Sequence, residues 1–150
     1  MVNTLISEIT SGDTVSKSSG PEIKEPALGD GTSKAGNIVG LDASDKATNV
    51  NANTVDLFMG ILEKRYDTDI DTAIVDSKNC SIIVPISGRK YAVFIADQGG
   101  SLSKGWALTF GTAGNLTTVG ADGLADTLPI VAYLDEDIVD DDIVAIVRWA

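Results

Sequence analysis

The sequence predicts an all-β fold, a small β-barrel or β-sandwich with an extended N-terminal arm. Two observations carry this prediction. Short apolar runs recur at a spacing of roughly ten residues, and turn-forming residues separate them, a pattern typical of sandwiches and barrels. Helical periodicity is scarce along the same stretch. The length of 150 residues fits one globular domain.

The arm is predicted over residues 1–36. Ser and Gly dominate Ser11–Gly20, prolines follow, and the only regular pattern is one short strand near Thr4–Ile9. A disordered tail is the equal alternative. A segment of this composition has no core of its own and would become ordered only on a partner surface. The candidate partner-contacting residues of the arm are Leu5, Ile6, Ile9, Pro21 and Pro26.

From residue 37 onward, the apolar runs predict the strands of a single domain over 37–150. Turn formers such as Asp97–Gly100 and Gly111–Gly114 separate these runs. The predicted strands are Ile38–Leu41, Leu57–Leu62, Ala73–Val75, Ser81–Ile86, Tyr91–Ala96, Trp106–Phe110, Leu116–Val119, Ile130–Leu134 and Ile143–Trp149.

Three of these segments allow a sharper prediction. The strands on either side of Ser87-Gly88 are predicted to form a β-hairpin, and Pro85 marks the first of them as an edge strand or a bulge. Asp140–Trp149 is predicted to be a closing strand. Asn53–Lys64 is the best helix candidate. Its Gly60 and the Phe58-Met59 pair make a strand nearly as plausible there.

The composition excludes several kinds of chemistry. The chain has no His and one Cys, Cys80, so a Ser-His-Asp triad, an imidazole metal ligand, an intrachain disulfide and a thiolate zinc cluster are all excluded. Cys80 heads an apolar run and is predicted to be a small core residue. We expect no enzymatic activity and no cofactor, and an enzyme that uses a pair of carboxylates is the rival that these counts leave open.

The charge and hydropathy indicate which partners to expect. Asp and Glu number 22 against 11 Lys and Arg, which gives a formal net charge of −11 and disfavours nucleic-acid binding. The apolar runs are too short to span a membrane, and Met1–Thr10 lacks the features of a signal peptide. We expect neither a nucleic-acid nor a membrane partner, and no secretion.

Asp67, Asp69 and Asp71 form a weak candidate for a metal site. Alternating carboxylates are similar to the start of a calcium-binding loop. The remainder of that pattern is missing, because Thr72 and Lys78 stand where Gly and Glu would be needed. Turn capping by the Asp side chains, or pairing with nearby bases, is the favoured interpretation.

A second acidic group lies in the last third of the chain. Asp135–Asp137 and Asp140–Asp142 place six carboxylates within eight residues, which predicts a surface stretch. A solvated loop is the first interpretation, and an acidic docking face for a basic partner is the second. Paired carboxylates serve glycosidases, but no apolar pocket is evident beside these.

Two tryptophans are candidate anchors. Trp106 begins a predicted strand and Trp149 is the penultimate residue. A buried Trp usually anchors a sandwich core. For Trp149, at the end of the chain, anchoring a partner interface is the competing interpretation.

Four stretches of the sequence carry a family resemblance. They are GILEKRYDTDIDTAIV at 60–75, VPISGRKYAVFIA at 84–96, LSKGWAL at 102–108 and GTAGNL at 111–116. Together they resemble the capsid decoration, or cement, proteins of tailed phages and related archaeal head-tail viruses, over about residues 36–150. No catalytic residues accompany this resemblance, because such proteins are structural.

The resemblance implies a structural virion protein that is made in the host cytoplasm and binds the exterior of an icosahedral capsid. It would reinforce the shell by bridging major capsid protein subunits as a homotrimer at three-fold or quasi-three-fold positions, with its arm reaching over neighbouring subunits. The alternative is a β-sandwich binding module that recognises a host-surface glycan or an adhesion partner.

Overall fold

The structure is a computed structural model and describes residues 22–65, 69, 71–96, 100–119, 129–139 and 144–150. These residues form strands and one short 3-10 helix at Val55–Leu57, with no α-helix among them. The strands are β1 (Ile23–Leu28), β2 (Ile38–Leu41), β3 (Ala47–Asn49), β4 (Phe58–Leu62), β5 (Asn79–Val84), β6 (Lys90–Phe94), β7 (Ala107–Phe110), β8 (Leu116–Thr118), β9 (Ala132–Leu134) and β10 (Val144–Trp149). No helix in this part of the chain is long and apolar enough to cross a membrane.

The strands are arranged as two antiparallel sheets of five strands each. The first sheet has the order β1-β5-β4-β2-β3, and the second has the order β6-β10-β9-β7-β8. The sheets pack as a β-sandwich, which confirms the all-β prediction. In each sheet the two outer strands approach each other at one parallel bridge, Leu28–Lys46 in the first and Ile95–Leu116 in the second, so both sheets curl strongly.

The main core lies between the two sheets. Ile61 and Ile83 are directly opposite each other on β4 and β5, and both are fully buried in this core. Side chains alternate along a strand, so the neighbouring pair, Leu62 and Ile82, lies on the other face of the first sheet. That face carries a second apolar cluster, whose buried members are Ala27, Val39, Ala47, Leu62, Ile74 and Ile82.

A loop between β4 and β5 covers the second cluster. Ile74 of this loop is buried among the cluster residues, whereas Ala73–Val75 is not a strand, contrary to the sequence prediction. An ion pair between Lys46 and Asp76 (2.7 Å) tethers the loop. Gly29 allows its close approach, because a Cβ there would clash with the carbonyl oxygen of Val75. An apolar run such as Ala73–Val75 can therefore cover the face of a curled sheet without forming a strand of that sheet.

The predicted hairpin is wrong, although both of its strands exist. β5 lies between β1 and β4 in the first sheet, and β6 pairs with β10 in the second. Both sides of β5 are already occupied, so the segment that follows it crosses to the other sheet. Pro85 lies immediately after β5, where its missing N–H breaks no ladder hydrogen bond, and β5 is not an edge strand.

The predictions for Asn53–Lys64 and for the closing strand agree with the structure in part or in full. Within Asn53–Lys64, the helix is limited to one 3-10 turn, and the strand alternative is correct, because β4 occupies Phe58–Leu62. The closing strand is confirmed as β10, which lies between β6 and β9.

The predicted boundary at residue 36 does not match the first sheet. β1 pairs with β5 along its whole length, so residues 22–36 belong to the sandwich. An arm is thereby limited to residues 1–21, which lie outside the described residues together with Leu5, Ile6, Ile9 and Pro21, and it stays a prediction. Pro26 lies in β1, an outer strand, and is exposed. Leu28 N–H points away from β5 to Asp45 O (3.0 Å), so by alternation the absent N–H of Pro26 also falls on the outer side.

Candidate functional site

Of the first acidic group, the structure describes two members. Asp69 and Asp71 are exposed, and Asp67 lies outside the described residues. The carbonyl of Asp69 accepts a hydrogen bond from Thr72 N–H (3.1 Å), which is a turn contact. Among the residues described, no three His, Cys, Asp or Glu side chains lie close enough to share a metal ion.

The carboxylates at 135–137 each have a structural partner. Asp135 pairs with Lys90 (2.7 Å) and Arg148 (3.3 Å), and its side chain is only 12% exposed. Glu136 Oε1 accepts a hydrogen bond from Ile146 N–H (3.0 Å), and Asp137 Oδ1 accepts one from Lys104 N–H (2.8 Å). Asp135 thus lies in a surface stretch, but its two ion pairs cover most of its side chain. Its two cations, on adjacent strands, supply the charge that permits burial. Asp140–Asp142 lie outside the described residues.

The electrostatics of Asp135 follow from these contacts. Burial acts to raise the pKa of this carboxyl group, but the hydrogen bond and charge of Lys90, together with Arg148, outweigh it and hold the pKa below 3.8. Asp135 is therefore ionised at neutral pH. It fastens β6 and β10 to the end of β9 on one face of the second sheet.

The two tryptophans have different roles. Trp149 is 8% exposed, stacks on Phe58 (5.7 Å between ring centroids) and meets Tyr91 edge-on (6.3 Å). It is thus a core anchor, and its ring leaves no surface for a partner. Trp106 is 45% exposed, contrary to the expected core position, because it lies in the turn at Gly105 before β7 begins.

The remaining exposed apolar side chains are candidates for contact with other molecules. Tyr133 is 41% exposed and lies directly opposite Arg148, which in turn lies opposite Lys90. These three form a row across β9, β10 and β6. The other large apolar side chains that are exposed in the described part of the chain are Ile23, Leu57, Val75, Trp106, Ile130 and Val139.

A groove with a volume of about 370 Å³ lies at one end of the first sheet. We call it the basic groove. Lys24 of β1 contributes one wall, the segment Glu63–Arg65 after β4 a second, and Asn79–Ser81 of β5 the third. Sequence reasoning missed it because its residues come from three separate segments. The one signal was the basic pair that follows an apolar run.

The side chains of the basic groove are held in place. Lys24 Nζ pairs with Glu63 Oε1 (2.7 Å), and Lys64 Nζ donates a hydrogen bond to the carbonyl of Arg65 (3.1 Å). Glu63 N–H donates to Ser81 O (2.9 Å) and so fixes the chain after β4. Cys80 is half-buried against the second cluster, and this burial raises the pKa of its thiol.

The architecture defines a class of small all-β modules, a sandwich of two curled antiparallel sheets. One solved structure to which the chain is similar is the N base of head fiber gp8.5 of bacteriophage phi29. The likeness has a TM-score of 0.51 at 13% sequence identity and covers 85% of this chain and 94% of that chain. It shows a shared fold. No protein-family model matches the chain, and no curated protein matches it in sequence.

Proposed function

We propose that this chain is a structural protein of a phage head and binds the exterior of an icosahedral capsid. The observation that carries the proposal is the shared fold with a head-fiber base, which extends over nearly the full length of both chains. The resemblance of four sequence stretches to capsid decoration proteins points to the same class, and the capsid-binding part of the proposal rests on it. Neither catalysis nor a cofactor is part of this role.

In the proposed role, the protein reinforces the shell by bridging major capsid protein subunits. Pressure from a packaged genome pushes capsomers apart, and a bridge across their seams raises the barrier to rupture. Many weakly held copies acting together provide this reinforcement through avidity. The exposed apolar side chains outside the two clusters, such as Ile23 and Val139, are the kind of surface such contacts would bury.

The experiment that tests this role uses capsids of the phage that encodes the chain, stripped of it and then mixed with the purified protein. We expect the protein to co-sediment with capsids in a saturable way and to raise both the rupture temperature and DNA retention on heating. Bovine serum albumin at equal concentration is the control. Absence of co-sedimentation would contradict capsid binding. If the protein co-sediments but the rupture temperature is unchanged, capsid binding stands and the reinforcing role is contradicted.

A second candidate function is recognition of a host-surface glycan. The observation that favours it is the exposure of two aromatic side chains, Trp106 and Tyr133, because exposed aromatic rings are suited to stacking on sugars. A glycan array would test it, with Trp106→Ala as the variant and Leu57→Ala, at another exposed apolar position, as its control. Hits that persist in Trp106→Ala would place the binding elsewhere, and an array without hits would remove this alternative.

A further inference from the structure

We propose that the basic groove binds an acidic, extended segment of another polypeptide. This goes beyond the proposed function, because it assigns a binding place and a ligand chemistry that capsid attachment does not require. Among the described residues that line the groove, three are cations, Lys24, Lys64 and Arg65, and one is a carboxylate, Glu63.

The charge of the groove is opposite to that of the whole molecule. Acidic residues outnumber basic ones two to one along the chain, 22 against 11. Cations outnumber carboxylates three to one among those lining residues that the structure describes. A local reversal of charge attracts a ligand of the opposite sign to that place. An acidic segment is the complementary partner.

The lysines retain donors for such a ligand. An ammonium group has three N–H donors, and the contacts described above account for one on Lys24 and one on Lys64. The Lys24 side chain is partly exposed, at 39%, and the ion pair with Glu63 fixes its direction. Arg65 has an interaction of its own, so it contributes charge to the groove and is not counted as a donor.

The rest of the lining suits a polypeptide. Asn79, Cys80 and Ser81 of β5 add neutral, polar or weakly polar groups to the lining, which suit the backbone amides of an extended peptide. A nucleic acid is a poor match, because its dense charge would be repelled by the net charge of −11. A short peptide with spaced carboxylates carries much less charge.

The groove contains its own reporter. Cys80 is the only cysteine of the chain and lines the groove, so the rate at which a neutral reagent, iodoacetamide, alkylates it reports whether the groove is occupied. The probe is a short peptide of alternating Glu and Ser, and the control peptide has Gln in place of Glu. We expect the acidic peptide to slow alkylation severalfold at low salt and the neutral peptide to leave the rate unchanged. The protection should weaken at high salt.

Charge-removing variants localise the effect. Lys64→Gln should weaken the peptide affinity, obtained from the protection curve, about two- to fivefold, the size of an exposed charge pair. The double variant that combines Lys24→Gln and Lys64→Gln should weaken the peptide affinity further. Lys104→Gln is the matched control, because it removes the same charge at an exposed position outside the groove lining. Each variant is compared with its own rate without peptide, which corrects for altered thiol reactivity.

Three outcomes would overturn the inference: equal effects of the acidic and neutral peptides, equal protection by inorganic phosphate, or equal affinity in Lys64→Gln and Lys104→Gln. Phosphate protection would make the groove a general site for small anions. The inference and the proposed function fail separately, since capsids can bind a chain whose groove takes no peptide, and the alkylation assay contains no capsid.

Discussion

At the scale of single residues, Asn37 joins the two sheets. Its side chain is buried just before β2. Its Oδ1 accepts a hydrogen bond from Lys34 N–H (2.8 Å), and its Nδ2 donates to Gly114 O (3.4 Å) and Asn115 Oδ1 (3.3 Å), both between β7 and β8. A buried amide with its partners satisfied fixes one arrangement of its surroundings, because every alternative leaves a polar group unpaired.

Replacing Asn37 should destabilise the fold. Asn37→Ala removes the acceptor of the part-buried Lys34 N–H and one of the two donors to Gly114 O, which still accepts from Ile38 N–H (2.7 Å). We therefore expect the free energy of unfolding to fall by about 1–3 kcal/mol. Urea denaturation followed by tryptophan fluorescence measures it. Asn53→Ala, at an exposed position, is the control. Equal midpoints for the two variants would show that Asn37 is not a structural link.

Asp135 should make stability depend on acid pH. Its pKa is lower folded than unfolded, so its stabilisation is complete above the unfolded value of about 3.9 and is lost as the pH falls through the folded pKa. Wild-type stability should therefore fall more steeply than that of Asp135→Asn as acid is added below about pH 4. Denaturation midpoints across this range measure the difference.

The control for this measurement is Asp69→Asn, at an exposed carboxylate. It should follow the wild-type curve in shape. If Asp135→Asn also follows that curve, the ion pairs with Lys90 and Arg148 do not contribute to stability.

At the scale of secondary-structure elements, Gly60 sets the contact between β4 and β5. A Cβ at this position would clash with the carbonyl oxygen of Ile83 and lie 2.8 Å from Ile82 Cγ2. Gly88 is different, because its φ of +84° disfavours other residues while no atom lies within 4 Å of an added Cβ. One glycine is required by packing and the other by backbone conformation.

The two glycines allow a matched pair of substitutions. Gly60→Ala should destabilise by about 3 kcal/mol or more, because neighbouring backbone must shift. Gly88→Ala should cost about 1–2 kcal/mol, the strain of a left-handed backbone conformation. Thermal unfolding of both variants by circular dichroism makes the comparison. A larger loss in Gly88→Ala would contradict the close packing of β4 on β5.

The elements also show how far the sequence determines the fold. Alternating or continuous apolar residues predicted β5, β6 and β10, because burial of a strand face leaves a period of two or an apolar run. Pairing was not predictable, since the same Ser87-Gly88 turn suits a hairpin and a crossing between sheets. Ile74 shows the same limit. It is a buried apolar residue in a loop, and in the sequence such a residue looks the same as one in a strand.

The candidate site shows a different limit. The acidic neighbours of Asp135 in sequence predict a surface stretch, but they do not predict its ion pairs, because Lys90 and Arg148 come from other strands. The basic groove was missed for the same reason. The sequence gives the order of charges along the chain. Which charges become neighbours in the folded protein depends on the strand order, and the sequence pattern does not specify that order.

At the scale of the whole molecule, the proposed homotrimer is open to direct measurement. Assembly would bury exposed apolar side chains such as Leu57, Ile130 and Val139. We expect light scattering after size exclusion to give three times the mass of the 15.6 kDa chain at micromolar concentration. A single-chain mass at every concentration would contradict a trimer free in solution. Raising the salt should favour the trimer, since each copy carries a net charge of −11.

The bridges between the outer strands of each sheet limit how much unpaired strand edge a neighbouring copy can reach. Unpaired strand edges are the usual route by which copies of a β-protein add to one another and aggregate. Here the Leu28–Lys46 and Ile95–Leu116 bridges bring the outer strands of each sheet together, and Pro26 removes one more donor from β1. We therefore expect contacts between copies, including those of a trimer, to form through side chains rather than by adding backbone to these edges.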